Sequence, residues 1–228
     1  MKKLTFSTEL AYVFGIFILA LGTAFMEAAN FGVSMVVAPA YLLHLKVSQF
    51  LPFFSFGMAE YTLQAVLLIL LIVVLRRFRI SYLFSFVTAV IYGLVLDLNM
   101  FVVSFLPCDT IVLRVIFYIV GMILCSIGVS FFFHTYISPE VYELFVKETS
   151  AKYGFNINRC KTVYDCVSCG IGILLSFCFF GFGHFEGVKL GTVLCALING
   201  WLVGQCTRVL ESRLEFRDML RLRGMFEK

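Results

Sequence analysis

The chain has 228 residues, 61% of them hydrophobic and only 14% charged, with 27 phenylalanines. Soluble domains carry about a quarter charged residues, and one core of this size cannot hide so much aromatic surface, so a soluble globular fold is excluded. The net charge of +4 is modest and no nucleic-acid motif accompanies it, so no nucleic-acid partner is expected.

A bilayer crossing needs about 20 mostly apolar residues. Six segments qualify, at about 10–31, 54–75, 80–103, 113–135, 164–183 and 189–207. Lys2 and Lys3 before the first span resemble the start of a signal peptide, but the later spans alternate correctly only if the first is retained. From Leu10 to Leu45 the chain is almost continuously apolar, with Glu27 its one charge. A single helix of that length would run roughly 54 Å against a hydrocarbon core of about 30 Å, so the helix must tilt strongly or break. Asn30-Phe31-Gly32-Val33-Ser34 supplies a break, with Ser34 a candidate N-cap. The short helix that follows, about 35–45, is apolar nearly all round and should be buried in the bundle or dip into the membrane.

Glu60 opens the second span, with Gln64 one turn later on the same face. In the third span Asp97 follows a stretch from Ile80 to Leu96 without charge, and Asn99 stands two positions on. After a fourth span without charge from Val115 on, a second break falls at His134-Thr135-Tyr136-Ile137-Ser138-Pro139, with Ser138 as cap and Pro139 at the first helical position. Its short helix, about 139–152, mixes Val141, Leu144 and Phe145 with Glu140, Glu143, Lys147 and Glu148, a pattern expected of an interfacial amphipathic helix. The helix starts at Ser34 and Ser138 have two readings: amide-rich, positive dipole ends that hold an anionic group, or connectors near the two interfaces. The second is the simpler expectation.

Asp165 lies in the fifth span and Asn199 is a polar group in the otherwise apolar sixth. Cys166 and Cys169 sit on an apolar helix without a second ligand pair, so the eight cysteines read as packing residues rather than as disulfides or metal ligands. The polar tail, 208–228, is helix-compatible and places Arg213, Arg217 and Arg221 in one row. It reads as a solvated or headgroup-binding extension of the last span.

Lysine and arginine set the direction of the spans. Alternation puts Lys2, Lys3, Arg76, Arg77, Arg79, Lys147, Lys152, Arg159, Lys161 and the basic tail on one side, leaving Lys46, Arg114 and Lys189 on the other. Both termini are therefore expected in the cytoplasm. The halves also repeat. Gly15 and Gly22 recur as Gly121 and Gly128, Glu60-Tyr61 as Asp165-Cys166, and Ala89 to Gly93 (AVIYG) as Ala196 to Gly200 (ALING), which makes Asn199 the counterpart of Tyr92. A unit with three spans inverts when it is duplicated. The expected fold is thus all-α: a single membrane domain with two inverted three-helix repeats, about 10–105 and 113–207, each carrying a short broken or interfacial helix after its first span.

Charged groups in a span cost at least about 2.5–3.5 kcal/mol near its centre. By this topology Asp97, Glu27 and Glu60 belong to the outer half. They line an outward-facing cation or proton pathway, or else they are interfacial carboxylates wetted by headgroup water. Glu60 and Asp165, as equivalents displaced to opposite sides, suit paired gates. The residues in this pattern resemble the YczE/YyaS/YitT group of bacterial integral membrane proteins. The resemblance is carried by Gly15 and Gly22 running into Ala29 to Ser34, by Ile80 to Asp97 ending in Gly93-Leu94-Val95-Leu96-Asp97, and by Gly191-Thr192 through Asn199-Gly200. Where members of that group carry Pro-Trp after the serine, this chain has Met35-Val36. The resemblance implies the bacterial inner membrane and no particular chemistry.

The leading functional expectation is a small secondary transporter or permease-like protein. Its solute would bind between the halves through Asp97, Glu27, Asn30 and Ser34, with Ser138 and Asn199 opposite. Alternatives are an auxiliary protein supporting another system and the substrate-capture subunit of an ATP-driven importer. No HExxH, phosphate-cradling glycine loop, nucleophile elbow or histidine cluster is present, so no enzyme, cofactor or metal site is expected. The partners to expect are the lipid bilayer and a small-molecule or ion substrate, with a second copy of the chain or another membrane protein as further candidates.

Overall fold

The computed structural model describes residues 4–155, 157–183, 185–220 and 223. Among them are eight α-helices and one two-stranded ribbon: β1 (Leu4–Ser7), α1 (Thr8–Ala29), α2 (Ala38–Val47), α3 (Phe56–Leu75), α4 (Ile80–Val103), α5 (Ile111–Phe132), α6 (Val141–Tyr153), α7 (Ile157–Phe180), α8 (Leu190–Arg213) and β2 (Leu214–Arg217). Helices α1, α3, α4, α5, α7 and α8 are long and apolar enough to cross a membrane, which makes this an all-α, multi-pass membrane protein. Their starts are set by side-chain caps where the sequence offers one: Ser7 accepts the Leu10 amide, Ser55 that of Met58 and Thr110 that of Leu113.

At the centre α1 packs on α5, and glycine permits the approach. A Cβ on Gly22 would lie 2.7 Å from the Gly121 carbonyl oxygen and from the Cys125 amide, and one on Gly15 would lie 3.3 Å from the Gly128 oxygen. Because 15 meets 128 while 22 meets 121, the two helices run antiparallel. Close backbone contact replaces the hydrophobic drive that lipid cannot supply. Around this pair α4 lies on α1 and α8 on α5, while α2 packs on α7 and α6 on α3.

The two short helices are the architectural surprise. α6 starts beside Gln64, in the middle of α3, where the Gln64 Oε1 accepts the Val141 amide at 3.0 Å. It ends beside the last residues of α3, where Lys152 donates to the Val74 and Leu75 carbonyls. It therefore dips from the middle of the bundle back to one end, with Val141, Tyr142, Glu143, Leu144 and Val146 buried. The expectation of an interfacial helix is corrected for its first turns, where Glu143 pairs with Lys161 of α7 and Glu148 accepts from Tyr82 of α4, while Lys147 stays exposed. α2 does the same from the other end. It begins with Ala38 against Gly172 in α7 and finishes with Lys46 donating to the Phe179 carbonyl.

The expected caps are also corrected. α2 begins at Ala38, not after Ser34, because Pro39 in its first turn fixes the start and lacks an amide to satisfy. Residues 35–37 form a turn in which the Ser34 carbonyl accepts the Val37 and Ala38 amides, and the Ser34 hydroxyl lies on the Met35 sulfur. At the second break Glu140 occupies the cap position without a side-chain cap bond of its own, and the Ser138 hydroxyl donates to the Ser81 carbonyl.

The tail departs from a continuous helix. α8 runs to Arg213 and the chain then straightens into β2, which pairs in parallel with β1 from Leu4↔Leu214 to Ser7↔Arg217. That breaks the expected Arg213, Arg217, Arg221 row, and Arg221 lies outside the described residues. Two interactions favour extended chain here: Phe6 meets Phe216 edge-on, and Glu9 collects the Met219 and Leu220 amides.

Gly22→Leu should therefore unfold in detergent at a lower temperature, by the equivalent of about 1–3 kcal/mol for overpacking. Gly200→Ala, whose Cβ would meet nothing closer than the Thr162 hydroxyl at 3.8 Å, should leave the midpoint unchanged or raise it slightly. Both are read from the monodisperse fraction remaining after a heating series.

Candidate functional site

The start of α6 lies against two buried polar residues of α3. Glu60 and Gln64, one turn apart, both have 0% exposure. Gln64 acts in two directions: its Oε1 accepts the Val141 amide, and its Nε2 donates to Glu140 Oε2 at 3.0 Å. The first-turn amides of a helix have no partner in their own helix, so Gln64 serves as a cap supplied by another element. Tyr142 donates to Glu60 Oε2 at 2.8 Å. From the opposite side α7 brings Lys161 and Asp165, four residues apart. The Lys161 ammonium stands 3.4 Å from Glu143 and 3.2 Å from Asp165.

The buried site thus holds four carboxyl groups, Glu60, Glu140, Glu143 and Asp165, and one ammonium. The N-termini of α2 and α6 each add roughly half a positive charge. Ionising every acid would still leave the site about two charges negative. Burying each unpaired ion costs several kcal/mol, so full ionisation is disfavoured. Glu140 shows the consequence: burial first, then the neighbouring Glu143 and Glu60 carboxylates, hold its carboxyl well above the usual range.

The two helix starts meet at an enclosed cavity of about 30 Å³, room for a water or two. The residues around it fall into pairs. The spacing of 106 that separates Gly15 from Gly121 also separates Leu19 from Cys125, Thr23 from Val129, Ser34 from Glu140, Val36 from Tyr142 and Val37 from Glu143. Tyr92 and Asn199 pair at a spacing of 107, and Lys161 alone has no counterpart there. Lys161 and Glu143 also line a wider cleft of about 730 Å³ between α5, α6, α7 and α8, with Lys147, Trp201, Gly204 and Arg208. The cavity and the cleft therefore share a wall.

The residues singled out by sequence divide into two sets. Glu60, Gln64 and Asp165 belong to the buried cluster, and Ser34 and Asn199 line the cavity, where the Asn199 amide oxygen accepts from Ser126. The other four are engaged elsewhere. Asp97 accepts the Ser55 hydroxyl at 2.6 Å and the Gly57 amide at 2.8 Å, tying α4 to the start of α3. Glu27 accepts from Tyr41, the Asn30 side chain accepts from Lys189, and the Ser138 carbonyl accepts from Thr88. Glu27, Glu60 and Asp97 thus have separate partners and are not joined into one outer pathway. Glu140, Tyr142, Glu143 and Lys161 are additions that sequence reasoning passed over. Lys161-Asp165 at i, i+4 opening an apolar span was the available signal, since an isolated lysine there would be costly while a paired one is not.

Paired half-length helices reaching a common interior cavity from opposite ends, within six spanning helices, define a multi-pass membrane protein with a built polar centre. The chain belongs to a family of unknown function, DUF6198, whose profile matches residues 6–208. Nothing in that match ties it to the YczE/YyaS/YitT group. No curated protein and no solved structure matches the chain.

Gln64→Leu strips Glu140 of its donor and the Val141 amide of its acceptor at once. It should cost about 2–5 kcal/mol from two buried groups left unpaired, whereas Tyr142→Phe should cost about 1–2 kcal/mol. Thermal unfolding of the detergent-purified variants should give that order.

Proposed function

We propose that the protein is a small secondary transporter, a permease that moves a small solute through the space between two inverted halves. The observation that carries this reading is the cavity wall. Residues 106 or 107 apart in sequence line it in pairs, as two copies of a unit related by a pseudo-two-fold axis would. The packing supports the same reading: 15 against 128 and 22 against 121, and α2 on α7 where α6 is on α3, are the exchanged contacts of an isologous pair. Inverted repeats with interrupted helices at the midplane are a transporter plan. Kinship with the YczE/YyaS/YitT group, carried by Gly15, Gly22 and the Ala29 to Ser34 segment, belongs to this reading.

The end of the bundle that carries Arg76, Arg77, Arg79, Lys147, Lys152 and the β1–β2 ribbon is the basic one, and its excess of lysine and arginine supports reading it as the cytoplasmic end. The halves are not in the same state. Near the other end α3 and α4 are shut, with Gly57 against Gly93 and Asp97 latching Ser55 and the Gly57 amide. The equivalent pair of α7 and α8, Thr162 and Gly200, is less tightly packed: a Cβ on Gly200 would lie 3.8 Å from the Thr162 hydroxyl, and both residues line the cleft. One tight seam and one looser seam fit alternating access.

The test is counterflow in proteoliposomes with labelled amino acids, sugars, nucleobases, organic acids and monovalent cations. A cysteine pair replacing Ser55 and Asp97 in an otherwise cysteine-free protein closes the outer seam when oxidised. At least one solute should move, oxidation should arrest it and reduction should restore it. Folded protein that moves none of them, or movement indifferent to the lock, would overturn the reading.

A further inference from the structure

Four acids share the interior with one ammonium, and the pairing among them is uneven. Lys161 lies within salt-bridge distance of Glu143 and Asp165. Among the described residues no cation stands within that distance of Glu60 or Glu140. Each receives one hydrogen bond on Oε2, from Tyr142 and from Gln64, and in each Oε1 is buried without a partner. Glu140 differs from Glu60 in one respect: it lines the cavity, at 2% exposure. A buried, unpartnered carboxyl oxygen on a residue that lines a space the size of a water needs a proton, a cation or a water beside it. Among the described residues no three histidine, cysteine, aspartate or glutamate side chains converge as metal ligands, which favours the proton.

We propose that Glu140 Oε1 carries an exchangeable proton and that the cavity beneath the starts of α2 and α6 is a proton-binding site. The groups that face Glu140 are Tyr12 from α1, Glu60 from α3, Tyr92 from α4, Cys125 from α5, Tyr142 and Glu143 from α6, and Lys161 from α7. The acids and burial favour the neutral form, and they outweigh the α6 dipole and Lys161, which favour the anion. The exchange is a simple transfer, from water in the cleft past Glu143 and Lys161 to the cavity and onto Oε1, and back by the same way. Lys161 and Glu143 border both spaces, so the route crosses the wall that their side chains form. That this proton drives solute movement rests on the permease reading, but the binding itself does not.

A carbodiimide decides it. Dicyclohexylcarbodiimide adds to protonated carboxyl groups in apolar surroundings and leaves a stable N-acylurea that peptide mapping locates. With the full chain in nanodiscs, Glu140 should be modified at neutral and mildly acidic pH. The yield should fall about tenfold per pH unit once the pH exceeds the group's own pKa, and Glu140→Gln should abolish the adduct. Infrared difference spectra across the same pH range provide a second measurement free of reagent access: a protonated carboxyl band that titrates in the native chain should be missing from Glu140→Gln. If that variant does not fold, mapping of the native chain alone decides. An unlabelled Glu140 without a titrating carboxyl band, or labelling indifferent to pH, overturns the proposal. A labelled, titrating Glu140 in a protein that moves no solute would sink the permease reading and leave the proton site standing.

Discussion

A helix that stops inside a membrane leaves its first amides without water to bind, and the structure turns on how that is solved for α6. In lipid each unmet backbone group costs several kcal/mol. Gln64, at the middle of α3, accepts the Val141 amide with one atom and donates to the Glu140 carboxyl group with another. One side chain thereby caps the helix and fixes the acid that the cap position would otherwise leave adrift. Because the partner is on a spanning helix, the depth at which α6 begins is set by the depth of Gln64. α2 meets the same constraint differently: Pro39 removes an amide, and the Ser34 carbonyl takes those of Val37 and Ala38.

The charges follow from that arrangement. Once α6 starts in the interior, Glu140 and Glu143 are carried in with it, and an acid with no counter-ion at that depth is costly. Lys161 enters on α7 to meet Glu143 and Asp165, and Tyr142 turns its hydroxyl to Glu60. The remaining imbalance gives the site its chemistry. A buried group whose ionisation is poised by its neighbours is also a group that can exchange a proton when the cavity is wetted.

The spans were legible because lipid as solvent demands length and hydrophobicity, and both are written locally. The glycine contacts were legible because the same spacing occurs twice. The depth of α6 was not. Glu140, Glu143, Lys147 and Glu148 among Val141, Leu144 and Phe145 give the composition of a surface helix, and the residues that make it internal, Gln64 and Lys161, lie on other helices far away in sequence. The partners of Asp97 were hidden for the opposite reason. Its local surroundings are uncharged, so burial cost dominated its reading, while its actual role as acceptor for Ser55 and the Gly57 amide depends on a chain turn some forty residues earlier. The start of the tail looked helical because nothing near it forbids a helix. The strand at Leu214–Arg217 owes its shape to Leu4–Ser7, at the other extreme of the chain.

On the proposed duplication, the cavity is symmetric in position and asymmetric in chemistry. Ser34, Val36 and Val37 on one wall face Glu140, Tyr142 and Glu143 on the other. The first half thus contributes a helix start with a hydroxyl and apolar side chains, and the second contributes the acids. A site built this way presents different surroundings to a solute or proton depending on which seam is open. In the state described, the acidic wall borders the open cleft through Glu143 and Lys161, while the apolar wall belongs to the half latched by Asp97. On the permease reading, exchange with the basic end passes the charged residues. Opening the Gly57–Gly93 seam would instead bring solvent to the wall that carries no carboxylate. Two copies of one unit need only diverge at these few facing positions to give the pathway a direction.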